Sequence, residues 1–434
     1  VPGREPVSPG SAAAGPGLEP DSAPVCQGEP VPMDVEIDLT DLSLFADGPP
    51  MDVFAALRDR APVHWNESAS GTGFWSLTRY ADIQAASKDW RTFSSQRRGV
   101  TIEQGSVFPA EMQELAFVMM DPPGHVKHRS IVHQVFTPRV VREYEPHMRR
   151  VVNELIDGVI ERGECDFVED IAVDFPLIVI AGILGVPIED RRRLFEWTNM
   201  FADTGISPEQ GTQLMTDMAV YVMGLVARRR QDPRDDLLSA LIAAEVDGER
   251  LNDLEVTAHF AQLMAAGNET TRNGMAGGLL ALMNHPDQRA RLLANPSLID
   301  GAVEEILRWH TPVIYQARTA TRDVEIEGVP VAEDDLVVLW FASGNRDGRV
   351  FADPDTFDVT RAAERQMAFG AGGRHFCLGN QLARYELRIA FEEILRRMPD
   401  TELTGPVVRQ PSNTFNWLRR VPVAFTPGPV HSAG

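Results

Sequence analysis

One cysteine of this chain stands at the end of a run of glycines, in Phe369-Gly370-Ala371-Gly372-Gly373-Arg374-His375-Phe376-Cys377-Leu378-Gly379. Glycine lets the backbone take positive φ and approach a flat partner closely. The segment from Asn380 to Met398 reads as a helix, so Cys377 falls just before a helix N-terminus, where the macrodipole and free N–H groups favour a thiolate. A dinucleotide-binding loop fits less well: Gly370 and Gly372 supply G-x-G, but the third glycine and the surrounding βαβ unit are missing.

A second constellation is Ala265-Ala266-Gly267-Asn268-Glu269-Thr270-Thr271. Three residues with almost no side chain leave one helix face bare, at a cost on the order of 1 kcal/mol for the glycine. Beside that face, Glu269 and Thr270 offer a carboxylate and a hydroxyl that could hold and pass protons. Close helix–helix packing, with Glu269 a solvated surface charge, is an equal alternative. Glu305 and Arg308 lie one turn apart, which alone reads as a solvated pair. His125 and Arg129, at i and i+4 after Asp121-Pro122-Pro123-Gly124, suit a shared anionic partner or a plain basic surface patch.

These groups need a scaffold, and the composition supplies one. The chain has 434 residues, 43% of them hydrophobic, enough to bury a large core. Its net charge of −22, from 41 basic and 63 acidic residues, repels nucleic acid and anionic membrane. The three cysteines, Cys26, Cys165 and Cys377, form no C-x-x-C pair, which excludes a disulfide scaffold, a zinc finger and a cysteine-ligated iron–sulfur cluster. Any cysteine chemistry uses a single sulfur.

Residues 1–32 hold eight prolines and five glycines and are expected to form a disordered tail ahead of one large domain over 33–434. Val1 followed by Met33 suggests an alternative start assignment, with the natural chain beginning at Met33. Apolar spacing predicts helices through most of the domain, for example at Val151, Leu155, Ile156 and Val159. The run Phe175 to Ile188 is broken by prolines and glycines and too short to span a bilayer, so it reads as a buried core helix. From the N-cap Asn252 to Met283, stopping before Pro286, helical spacing predicts a rod of roughly 45 Å. Strands are expected near Val63 and Phe74, in a hairpin at Val324 to Val329, and at Leu336 to Trp340. The expected class is mainly α with a small β subdomain.

The ordered set of motifs resembles the cytochromes P450 in their soluble bacterial form, over about Met33 to Phe425. Ala266 to Thr271 match the family's [AG]-G-x-[DE]-T-[TS] motif, Glu305 and Arg308 its E-x-x-R pair, and Phe369 to Gly379 its cysteine loop. The resemblance implies the P450 fold and a haem b (iron protoporphyrin IX) ligated by Cys377. It implies a haem setting of Ala266, Gly267, Phe369 and Gly379, and propionate contacts from His125, Arg129, Arg318 and His375. Glu269 and Thr270 become the proton-delivering pair, and Glu305 and Arg308 a structural pair behind the haem. The chain departs from the common pattern twice. The cysteine loop is one residue longer than F-G-x-G-x-H-x-C, which puts the seat of Phe369 in question. Thr356 stands where many relatives carry an arginine, so either Arg361 substitutes or the cluster with the E-x-x-R pair is incomplete.

By the same resemblance the chain is expected to be a cytoplasmic monooxygenase that hydroxylates a C–H bond with O₂. Electrons from NAD(P)H would arrive through a separate ferredoxin reductase and ferredoxin, docking near Arg374 and Arg384. The substrate expected is an apolar terpenoid, sterol or branched lipid. A tailoring reaction on an amino acid of an antibiotic pathway, free or carrier-tethered, is the alternative, and a haem protein that binds without oxidising is the alternative class. The pocket is expected to draw on Val313, Tyr315, Phe415 and Trp417, any of which could instead be core.

Overall fold

The computed structural model describes residues 37–67, 73–102, 115–200 and 207–431. The expected tail, Cys26 and Met33 lie outside them.

The rod is present. Helix Asp253–Asn284 starts on a capping box, in which the Asn252 side chain accepts from the N–H groups of Leu254 and Glu255 (2.9 and 3.0 Å) while Glu255 accepts from Asn252 N–H (2.8 Å). Pro286, which opens the next helix, ends it. The long helix is buried on nearly all sides through its second half, because its neighbours wrap it. We number the elements used below in chain order: α1 Gly124–His133, α2 Asp174–Leu184, α3 the long helix Asp253–Asn284, α4 Ile299–His310 and α5 Asn380–Arg397. Helix α2 covers most of the apolar run read as a core helix, starting one residue before it, has almost every residue buried, and stops at Gly185 in the left-handed region (φ 75°).

The β part is a five-stranded sheet of β1 Val63–Asn66, β2 Phe74–Leu77, β3 Phe93–Ser94, β4 Tyr315–Ala320 and β5 Leu336–Trp340, in the order β1-β2-β5-β4-β3. All its pairs are antiparallel except β5 with β2. The expected hairpin forms between Val324–Ile326 and Val329–Val331, with Glu327 and Gly328 both at positive φ. A further pair, β6 Val408–Gln410 and β7 Trp417–Arg420, lies beside α3. Strand signals in the sequence located β1, β2 and β5 but missed β3, β4, β6 and β7. Strand β3 has only two residues and pairs with the distant β4, while β4, β6 and β7 carry glutamine, arginine and threonine in place of an apolar alternation.

Three cores result. The largest surrounds α3; a smaller core fills the space between the sheet and helix Met51–Arg60, where Trp340 contacts Phe45, Phe54 and Tyr315; and a third gathers other sheet residues, Leu77, Val337 and Leu339, with Ile83 and Phe341. The molecule is therefore a helical body carrying a small sheet, with α3 running through the middle.

Candidate functional site

Three glycines set the cysteine loop. Gly370, Gly372 and Gly373 all lie at positive φ (90°, 92° and 81°), where a side chain is strained, and this curl absorbs the extra loop residue. Phe369 remains buried, its carbonyl accepting from Cys377 N–H at 2.9 Å. The Asn380 side chain, at the start of α5, donates to the Cys377 carbonyl at 2.7 Å. The sulfur thus faces the N-terminus of α5 with its backbone pinned on both sides. Burial pushes the Cys377 thiol up, against the Gly379 N–H and the charges of Arg129 and Arg384. A thiol so placed ionises when a bound metal cation supplies the counter-charge.

Cys377 opens into a cavity of about 1270 Å³ of atom-free space, counted out to its mouth in the solvent. Its other walls include Leu263, Ala266, Gly267 and Thr270 from α3, Gln316 from β4, and Val313 and Phe117. A Cβ on Gly267 would come within 2.9 Å of the Ile180 side chain on α2, so the bare helix face serves helix packing as well as the cavity. The other half of the packing alternative fails: Glu269 is buried, not a solvated charge.

At the cavity edge, four basic side chains converge. The rings of His125 and His375 are 4.3 Å apart, and neither nitrogen of His125 nor Nε2 of His375 has a hydrogen-bond partner. Arg318 is buried on β4, and Arg129 Nη2 donates to the Phe376 carbonyl at 2.6 Å. Burial, joined by the positive charges of their neighbours, pushes His125 down to about 4 and His375 to about 2, and burial lowers Arg318 to about 10. Asp121 is the acid that opposes this concentration of positive charge. Buried cations and unpaired imidazoles are costly without an anion, and the carboxylates of a porphyrin edge supply two. A single accessible thiol, a small-residue wall and this anion seat together fit an iron porphyrin.

On α3, Thr270 faces the cavity and donates to the Ala266 carbonyl at 2.9 Å. Glu269 does not line the cavity. Its carboxylate pairs with Arg272 and accepts from Asn268 Nδ2 at 3.4 Å, and burial raises it to about 7. Behind the cysteine loop, Glu305 and Arg308 are fully buried and joined by two bonds of 2.7 and 2.8 Å. Arg361 Nε reaches Glu305 at 3.2 Å, so Arg361 completes the cluster that Thr356 leaves open.

Three residues expected in the pocket, Tyr315, Phe415 and Trp417, are not in the cavity wall. Successive strand residues face opposite ways: Gln316 lines the cavity, which turns Tyr315 into the smaller core against Trp340. Trp417 packs on Phe415 and beneath Arg272. Val313 does line the cavity, and a β-bridge joins it to Phe415. Arg384, expected at a docking face, is turned inward onto Glu304 (2.5 and 3.1 Å) and over the Phe369 ring, whereas Arg374 is exposed.

Sequence reasoning missed Glu386. This α5 carboxyl lines the cavity, accepts from Thr271 Oγ1 at 3.1 Å, and is raised by burial to about 8. Its position in Arg384-Tyr385-Glu386-Leu387-Arg388 reads as a charged helix face, so nothing local marks it. The folded state binds this proton more tightly than the unfolded chain, so Glu386 stability is intact below pH 4.5 and lost progressively toward about pH 8. Glu386→Gln is therefore expected to gain stability over the wild type across that window, at up to about 1.4 kcal/mol per pH unit. Urea unfolding at several pH values checks this, and a difference constant with pH would refute it.

Among the described residues no helix is long and apolar enough to cross a membrane. A family model described as Cytochrome P450 matches residues 213–403. Over 409 residues the chain is 38% identical to a methyl-branched lipid omega-hydroxylase of Mycobacterium tuberculosis, covering 91% of this chain and 95% of that one. It is 36% identical over 403 residues to a steroid C26-monooxygenase of the same organism, covering 91% and 98%. Among solved structures, a cytochrome P450 of Mycobacterium marinum in complex with pseudoionone superposes with a TM-score of 0.84 at 36% identity, covering 92% of this chain and all of that one.

Proposed function

The chain belongs to the cytochrome P450 family and is a monooxygenase, and from that premise we propose that it hydroxylates the alkyl chain of an apolar lipid or sterol-like substrate. The observation that carries the reading is the meeting of one thiol, Cys377, and one hydroxyl, Thr270, in a largely apolar cavity with an anion seat at its edge. When bound, the haem supplies O₂ activation and oxygen insertion, favoured by thiolate ligation. The sequence has no C-x-x-C-H attachment site, which supports non-covalent haem b. Cys377 would hold the iron, His125, Arg129, Arg318 and His375 the two propionates, and Ala266, Gly267, Phe369 and Gly379 the faces and rim of the ring.

Apolar walls such as Phe117, Leu263 and Val313 keep water out and favour an alkyl chain, which supports the lipid or sterol reading over an amino-acid substrate. Thr270 directs a hydroxyl at the space over the small-residue wall. Glu269, with a proton affinity near 7, can gain and release a proton at neutral pH. Electrons come from redox partners, and we propose a separate ferredoxin with its reductase, with the exposed Arg374 on the cysteine loop offering a cationic contact.

A spectral-shift screen of branched lipids, sterols, terpenes and carrier-bound amino acids, followed by turnover with a surrogate ferredoxin system, tests the substrate class. Hydroxylated lipid or sterol is the expected product, and binding confined to carrier-bound amino acids overturns it. In the same assay Thr270→Ala is expected to lower product per NAD(P)H about tenfold or more and release hydrogen peroxide. Unchanged coupling would remove Thr270 from proton delivery.

A further inference from the structure

Glu269 is assigned to proton supply above, yet its side chain sits on a face of α3 away from the cavity that Thr270 lines. A set of contacts holds it there. Arg272, one turn further on, pairs with the carboxylate, and both side chains are almost fully buried (2% and 4% exposed). The guanidinium of Arg272 lies 4.9 Å from the ring centroid of Trp417 on β7, and that of Arg419 lies 5.4 Å from the same ring. Arg419 Nε in turn donates to Gln410 on β6 at 2.5 Å. Asn268, beside Glu269, is anchored by a 3.0 Å bond to Thr198. The carboxylate is thus gripped from its own helix and faced from β7.

We propose that Arg272, braced on Trp417, is a positioning residue that holds the Glu269 carboxyl toward the β6–β7 hairpin and sets how readily it gives its proton to the cavity side. The inference rests on the reading that Glu269 and Thr270 supply protons. Burial raises the proton affinity of Glu269, and the positive charges of Arg272 and Arg419 restrain that rise, while Glu169 faces Arg272. Removing the nearer cation leaves burial less opposed. The carboxyl then keeps its proton to higher pH, so the alkaline limb of coupled turnover moves upward. Arg272 makes this possible by geometry: its guanidinium lies over the Trp417 indole, which attracts the cation and favours that position.

The test compares Arg272→Gln, Trp417→Leu and Glu269→Gln in the haem-loaded enzyme, each first checked for the red-shifted band of its reduced carbon monoxide complex. Two quantities are measured from about pH 5 to about pH 9: product per NAD(P)H, and the carboxyl infrared band lost in Glu269→Gln. Arg272→Gln is expected to shift both midpoints upward by about 1–3 pH units, and Trp417→Leu to shift them the same way by less. Should Arg272→Gln fail to take up haem, Trp417→Leu alone decides. Midpoints that stay in place overturn the assignment of Arg272, provided Glu269→Gln abolishes the limb. If Glu269→Gln leaves coupling and its pH profile unchanged, the proton-supply reading itself fails, and this inference with it.

Discussion

Cys377→Ala is expected to abolish the red-shifted absorbance band of the reduced, carbon monoxide-treated protein and to bring turnover to background. The loop should survive the change, because its closure is made by groups other than the sulfur: Cys377 N–H to the Phe369 carbonyl, and the Asn380 side chain to the Cys377 carbonyl. No described sulfur is placed to substitute. Cys165 sits in strand Glu164–Asp166 opposite Val423, and its thiol is pushed by burial to about 12. The thiolate is the ligand that favours O–O cleavage, so loss of the band and of product should go together. A surviving band would move the ligand to another residue and dissolve the site as assigned.

The second large effect is on the fold. Arg308→Ala is expected to cost about 3–5 kcal/mol, the usual result of stranding one member of a buried ion pair. Arg308 makes two bonds to Glu305 and donates to the carbonyls of Asn345, Pro354 and Thr356 at 2.9, 2.8 and 3.2 Å. Its removal leaves Glu305 with Arg361 and the Asp358 N–H, and strips Arg308 from the Asn345 and Pro354 carbonyls of the irregular stretch leading to the cysteine loop, while the Thr356 carbonyl keeps Arg361 Nη2 at 3.0 Å. Haem uptake should fall with stability, since Asn345 also accepts from Met367 N–H at the entry to that loop. Arg308→Lys should recover little, because an ammonium cannot replace a five-donor fork. Denaturant unfolding with haem retention measured alongside decides the matter, and an unchanged midpoint would show the pair to be dispensable.

Much of this was legible in sequence where chemistry and spacing coincide. Asn252, Glu255 and Pro286 bracket the long helix because caps and proline act locally, and the glycine run before Cys377 encodes its own curl. The resemblance to the family named the basic residues of the anion seat, which local patterns alone left between two readings. Legibility ended where burial depends on distant partners. Glu386 and Glu305 both look like residues of a charged helix face, yet both are inside because α3, α4 and α5 pack together. Tyr315 and Trp417 have the composition of a pocket, but strand alternation sends one into the sheet core, and the other supports an arginine on α3. Arg384 looks like a docking charge until the fold brings Glu304 within 2.5 Å.

Strand β4 carries a constraint on how this enzyme can evolve. Gln316 reaches the cavity and Arg318 the anion seat, while Tyr315 and Ala317, which alternate with them, belong to the smaller core around Trp340. Only alternate positions of the strand are free to retune which molecules fit, and the second of those, Arg318, lies in the anion seat that we propose holds the propionates. Selection for a new substrate therefore has one adjustable site on this wall, Gln316, together with the preceding Val313. Libraries that randomise 313–318 as a block would spend most of their members on unstable proteins, whereas paired variation at Val313 and Gln316 should change specificity at little cost in folding.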